Sequence, residues 1–410
     1  MQTKGWDTLS IVKQEAVNAS LSKSWPQLNP EFNQAVGDSY RCSGVFDCWS
    51  VVNGGGGRLL RLRMPIRSGE LKVGQTIIEL AATVAIIEVT LSLLPQSGTE
   101  SVLKSSYLKV AQNPGQIPED QGGWLLPITL QDPQGRLGPY ASLVLDAICA
   151  YLIANPKQFE HIFAHINFAK SGAPAWALPK KCTYSYLDSG YLAVLGVCSD
   201  RDISELPRDV DVTGLGLGAS SYYILANQML LENLILPGLV ALYQDASKGD
   251  YQYQAGELIN RRQLRMQEIK SGLIYYTPVV WAGKNIARVV GDFLRVKFDG
   301  NCDLYAGINM TWNGWVTMKP TLNNGVITFS KLSSDFQHDE DIPWYLQWLL
   351  PVVGLIVTIV VAVISSDLIS SIANRGGSIK ADSINCTTWN QATNNVIACS
   401  LSEALVVEYV

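Results

Sequence analysis

Apolar residues along this chain recur in two periods, and one stretch shows neither. Near the amino terminus, Trp6, Leu9, Val12, Ala16, Val17 and Leu21 return at near-helical spacing, which predicts an amphipathic helix stopped at Trp25-Pro26. Arg58–Pro65 alternates arginines with Leu60, Leu62 and Met64, the pattern of a strand with one wet face. Gly54–Gly57 ahead of it reads as a hinge or hairpin bend, and Ser68-Gly69 behind it as a turn. Leu71–Leu80 and Val84–Leu94 are rich in Val, Ile and Thr and read as long strands, the second broken by Pro95. A strand is predicted over Leu125–Leu130 and a helix over Ala141–Ala154, closed by Asn155-Pro156. Phe159–Ala169 and Tyr184–Cys198 are strand-like, and Leu206–Asp211 begins a crossover. A second helix follows over Ser221–Leu242, whose polar stripe is only Ser221, Gln228 and Glu232. Strands and turns occupy Glu257–Phe329, with Asn323-Asn324-Gly325 joining Trp315–Met318 to Val326–Phe329 as a hairpin. Ala404–Val410 is a last strand able to return to a sheet.

The stretch without a period is Trp344–Ile364, which carries no formal charge. It is long enough to span a bilayer, and its Pro351 and Gly354 do not forbid that. A membrane span and a segment buried by protein or lipid are both open. The order of helices and strands predicts an α+β protein of two similar halves. The expected division is 1–205 and 206–410, the second half holding a long apolar helix at 344–372, with some exchange of segments.

Composition narrows the chemistry. The chain has 410 residues, a net charge of -5 and only 16% charged residues, so its surface is polar but lightly charged. Short basic clusters, such as Arg261, Arg262, Arg265 and Lys270, lack the dense aromatic-laced stripe of a nucleic-acid binder, and no nucleic-acid partner is expected. Of eight cysteines, Cys42 with Cys48 and Cys386 with Cys399 are spaced to bridge in an oxidising compartment; free thiols are the plainer reading, and Cys149 is a core residue. His161 and His165 could share one strand face but belong to no HExxH motif, and His338 beside Asp339 and Asp341 reads as a solvated, flexible flank. Gly54–Gly57 is followed by no GK[ST], and no GxSxG elbow occurs. No catalytic residue, metal site or cofactor is expected. What remains is apolar surface in excess of two modest cores. Met229, Leu230 and Leu234 either fill the core or also line a lipid cavity, and Trp344, Tyr345 and Trp348 either anchor at a membrane interface or pack on the preceding sheet.

Three short pieces in order carry a family likeness. Gly5-Trp6-Asp7-Thr8, then Phe46–Val52 running through the glycines to Leu62–Gly69, then Leu231–Pro237, resemble the P-47 and OrfX proteins of bacterial toxin gene clusters. The resemblance covers nearly the whole chain. It implies an elongated fold of the tubular lipid-binding (TULIP) superfamily, long helices wrapped by curved antiparallel sheets, and no catalytic motif. It also implies a lipid- or membrane-binding accessory of a toxin system, of the neurotoxin or the insecticidal kind, with proteins of the same gene cluster as partners. A protein-binding assembly factor and a membrane-active toxin component are the rival roles. No secretory leader stands at residues 1–23, so synthesis in the bacterial cytoplasm, and release together with toxin components, is the expectation.

Overall fold

Residues 8–13 form a strand where the near-helical spacing predicts helix. The computed structural model describes residues 2–37, 39–119, 121–187, 189–216, 218–305, 308–340, 342–390 and 395–410. Asp188 and Asp341, and the side chain of Trp344, lie outside what is described. Strand Thr8–Lys13 sits between Tyr191–Val197 and Ser221–Leu225, antiparallel to both. Leu9 and Ile11 enter one core cluster and Val12 another, so both faces are covered and the alternation that marks a strand is lost. The helix begins only at Gln14 and ends at Ser24, just before Trp25-Pro26.

The same cause splits the second predicted helix. Ser221–Leu225 is a strand with every residue buried, and the helix runs from Asn227 to Val240. Its middle turn, Leu231–Ile235, is widened to a π turn just before Pro237, which has no N–H to give the turn behind it.

These strands belong to a six-stranded sheet that draws on both ends of the chain. Its order is Lys181–Leu187, Tyr191–Val197, Thr8–Lys13, Ser221–Leu225, Leu405–Tyr409 and Val396–Leu401. The carboxyl-terminal strand therefore does return to a sheet. On one side lies an eleven-stranded sheet built from residues 31–167 together with Thr387–Trp389. It wraps helix Ala141–Ala154, whose Val144, Ile148 and Leu152 are fully buried. On the other side a nine-stranded sheet from Tyr251 to Lys380 wraps the Asn227–Val240 helix and the long apolar helix.

Several turns fall elsewhere than the sequence suggests. Strand Leu59–Val73 runs straight through Ser68-Gly69. Gly69 pairs with Gly44, and a side chain on Gly44 would meet the Ser68 carbonyl at 2.6 Å, so the glycines serve close strand approach and not a turn. The turn comes at Gly74, with φ +59, which divides Leu71–Leu80 into the end of that strand and a short one, Thr76–Glu79. Strand Val84–Ser97 passes through Pro95, with only a shift of register between Pro95 and Ser97. Tyr184–Cys198 is a hairpin of two strands that turns at Gly190.

The Asn324-Gly325 hairpin forms as predicted, both residues having positive φ, but its arms are far longer, Ile308–Asn323 and Val326–Glu340. His338 is exposed, as a solvated flank requires, but lies within the second arm as part of a strand, stacked near Phe336 with Nε2 3.4 Å from Glu340. Gly54 leaves room for the Arg61 guanidinium, which donates twice to buried Glu88, and the Gly57 carbonyl accepts from Tyr186 in the six-stranded sheet. All eight cysteines are free, Cys42, Cys149, Cys302 and Cys386 being buried.

Candidate functional site

The apolar run folds as a surface helix laid on the nine-stranded sheet. After a tight turn at Trp344–Leu349, regular helix occupies Leu350–Ala362 and continues to Gly377 through π turns at Val363–Asp367 and Ala373–Gly377. One face, Leu349, Val353, Ile356, Val360 and Ile364, is buried against the sheet core. In its later part the helix crosses the Asn227–Val240 helix with backbones nearly touching. A Cβ on Gly238 would lie 2.5 Å from the Ile372 Cα, and the Ser371 hydroxyl donates to the Gly238 carbonyl at 2.9 Å.

The opposite face is apolar too, and that is the anomaly. By length and composition Tyr345–Ala362 could cross a membrane, yet only 22% of it is buried in the protein. Trp348 is 53% exposed and Leu350 49%, with Tyr345 and Leu355 also open to solvent. An ordinary surface helix puts charge on its outer face. This one puts leucine and aromatic rings there.

A second apolar protrusion stands beside it. Ile269–Ser271 and Ile274–Tyr276 pair as a small hairpin turned by Gly272-Leu273, and its first strand packs next to helix Leu350–Ala362. Gly272 has φ +63 in the first loop position, which leaves Leu273 at the apex. Ile269 and Tyr276 are buried and hold the hairpin down. Leu273 is 95% exposed, Ile274 and Tyr275 are exposed, and the Lys270 Nζ lies 5.5 Å from the Tyr275 ring centroid. Sequence reading passed over this hairpin. The usable signal was a glycine-first two-residue loop, Gly272-Leu273, followed by the large residues Ile274-Tyr275-Tyr276.

The other residues singled out from sequence fall inside. Leu230 and Leu234 are fully buried and Met229 partly so, all packed in the core between the two helices and the nine-stranded sheet. The clefts described in the protein are lined by other residues. Tyr345 and Trp348 are the two members of that set at the surface.

His161 and His165 do not share a face. A register irregularity between Ile162 and Ala164 leaves His161 buried and His165 exposed. His161 Nε2 is 3.3 Å from the Ser20 hydroxyl, and burial holds the imidazole pKa down at about 4. Among the described residues no group of three or more His, Cys, Asp or Glu side chains could hold a metal ion. Burial pushes the thiols of Cys42, Cys149, Cys182, Cys198 and Cys302 up to about 12, far from nucleophilic. Arg262 of the basic cluster is committed to Asp245 and Asp250 at 3.0 and 2.6 Å.

Two curated relatives and two solved structures are similar to this chain. Protein P47 of Clostridium botulinum (strain Kyoto / Type A2) is 25% identical over 321 residues, 73% of this chain and 70% of that one. Protein OrfX3 of the same strain is 22% identical over 355 residues, 75% of this chain and 70% of that one. The structure of P47 from Clostridium botulinum A2 superposes with a TM-score of 0.76 at 21% identity, covering 100% of this chain and 98% of the other. P47 of Clostridium botulinum E1 gives 0.73 at 20% identity, with 99% of each chain covered. The fold is thus the elongated α+β fold of these P47 structures, long helices with curved antiparallel sheets. The OrfX-like family model, Protein OrfX2/OrfX3/P47, matches residues 3–386, and the chain belongs to that family of non-enzymatic accessory components of toxin gene clusters.

Proposed function

We propose that this toxin-cluster accessory attaches to lipid membranes through the outer face of helix Leu350–Ala362, with the Leu273 hairpin beside it. Membership in the family supports association with other proteins of the same cluster. The observation that carries the membrane reading is a helix uncharged from Trp344 to Ile364 that leaves Tyr345, Trp348, Leu350 and Leu355 exposed. Leaving large apolar groups wet costs roughly 25 cal/mol for each Å² that a bilayer would cover. Tyr345 and Trp348 at the start of the helix are the residue types that settle at the lipid–water boundary. Because the inner face packs on its own sheet, the helix would lie in the interface plane and not across the bilayer. No internal lipid is required by this reading.

Flotation with phosphatidylcholine and phosphatidylglycerol vesicles tests it. The wild-type chain should float with the vesicles, and Leu350→Asp with Leu355→Asp should remain at the bottom of the gradient with an unchanged melting temperature. A wild-type chain that ignores vesicles of both kinds would end the membrane reading and favour a protein as the occupant of the face.

A further inference from the structure

A cleft of about 670 Å³ opens between strand Val84–Ser97, the segment around Leu108–Trp124 and strand Lys181–Leu187. Its floor is a fixed polar frame. The Tyr184 hydroxyl donates to the Arg58 carbonyl at 2.9 Å and accepts the Leu91 N–H at 2.7 Å. The Arg58 guanidinium is held by the carbonyls of Pro118 and Gln121 and, among the described residues, has no carboxylate paired with it.

Arg208 comes in beside Arg58. Its Nη1 is buried and has no hydrogen-bond partner among the described residues. Burial, and then repulsion from Arg58, lowers its pKa, while Tyr184 and Glu119 act in the opposite sense. A buried guanidinium N–H without an acceptor, next to a second guanidinium, is unfavourable unless an anion completes it. Lys109 adds a third cation, its Nζ 5.3 Å from the Trp124 ring. Two carboxylates also line the cleft. Asp202 is engaged by Ser204, whose hydroxyl and N–H donate to it at 2.6 and 3.2 Å. Glu119 feels Arg208 electrostatically but forms no ion pair with it among the described residues.

The rim gives the ligand its second property. Leu94 and Leu108 are exposed there, beside Trp124. We propose that this cleft binds a phosphate group bearing an apolar tail, the phosphate on Arg208 and Arg58 with Lys109 at its edge and the tail along Leu94 and Leu108. A lipid headgroup and free phosphate share the first half of that chemistry, and only the lipid uses the rim. The site stands apart from the apolar helix and does not depend on membrane attachment.

Calorimetric titration of the full chain with monomeric dihexanoyl phosphatidate, dihexanoyl phosphatidylcholine and inorganic phosphate tests the assignment. Dihexanoyl phosphatidate should bind at one per chain, and Arg208→Gln should weaken it by about tenfold or more. Leu108→Ser should weaken the phosphatidate and leave inorganic phosphate unchanged. Glu119→Gln should tighten both by removing the competing anion, a gain that a misfolded variant could not produce. Inorganic phosphate binding as tightly as the phosphatidate would keep the oxyanion site and identify free phosphate as its occupant. The proposal is overturned if neither phosphate ligand binds saturably, or if Arg208→Gln, melting as the wild type does, binds unchanged.

Discussion

His161 and Gly238 show how much single positions carry here. Folded His161 is held neutral with a pKa near 4, whereas in the unfolded chain it titrates near its ordinary 6.5. Between those values the unfolded chain binds the extra proton, so stability is complete above about pH 6.5 and declines as the pH falls toward 4. The loss is on the order of 3 kcal/mol at most. The melting temperature should therefore fall between pH 6.5 and 4.5, and His161→Gln should flatten that part of the curve; an unchanged slope would put the acid sensitivity elsewhere. Gly238→Ala should destabilise the chain by about 1–3 kcal/mol, read by urea unfolding, because the new methyl meets Ile372 backbone at 2.5 Å. Neither residue announces its role in the sequence. A glycine before a helix end and a histidine just ahead of a strand gain meaning only from the element packed against them.

At the scale of elements, legibility followed the environment of each face. The Ala141–Ala154 helix was readable to the residue because it lies on one sheet and ends at Asn155-Pro156. The Asn324-Gly325 turn was readable because its chemistry is local. Thr8–Lys13 and Ser221–Leu225 were not, since both are interior strands of the six-stranded sheet with no wet face to mark the period. The continuous Leu59–Val73 and Val84–Ser97 strands were cut short by reading Gly69 and Pro95 as breaks where they mark close approach and a register shift. The apolar helix was legible as apolar, but which face stays wet is a property of the sheet beneath it. At this scale the hairpin gives its own prediction: Leu273→Ser should reduce vesicle flotation while leaving the melting temperature alone, since that side chain touches almost nothing in the folded chain. A drop in melting temperature of several degrees would mean the tip is part of the core.

Across the whole molecule, the six-stranded sheet ties the amino terminus, the middle of the chain and the carboxyl terminus into one unit between two sheet-wrapped bodies. Two surfaces then stand out for opposite reasons. The cleft at Arg208 has charge without an acceptor, and the face at Leu350–Ala362 has apolar surface without a cover. Among the described residues neither surface includes a group of three or more His, Cys, Asp or Glu side chains able to hold a metal ion. The family likeness was legible from Gly5–Thr8, Phe46–Val52 and Leu231–Pro237. The Arg208 cleft was not, because Arg58 and Arg208 are 150 positions apart and only the fold brings them near one another.

Membrane attachment by the helix is tested most directly by a nitroxide label at Leu355→Cys, read for accessibility to oxygen and to a water-soluble nickel complex. The native thiols, half of them buried and all poorly ionised, should leave the introduced cysteine as the main reactive site. On adding phosphatidylglycerol vesicles, oxygen accessibility at 355 should rise and nickel accessibility should fall. A chain that floats with the vesicles while both accessibilities at 355 stay as they were in buffer would contradict the account, because the lipid would then be held by some other face.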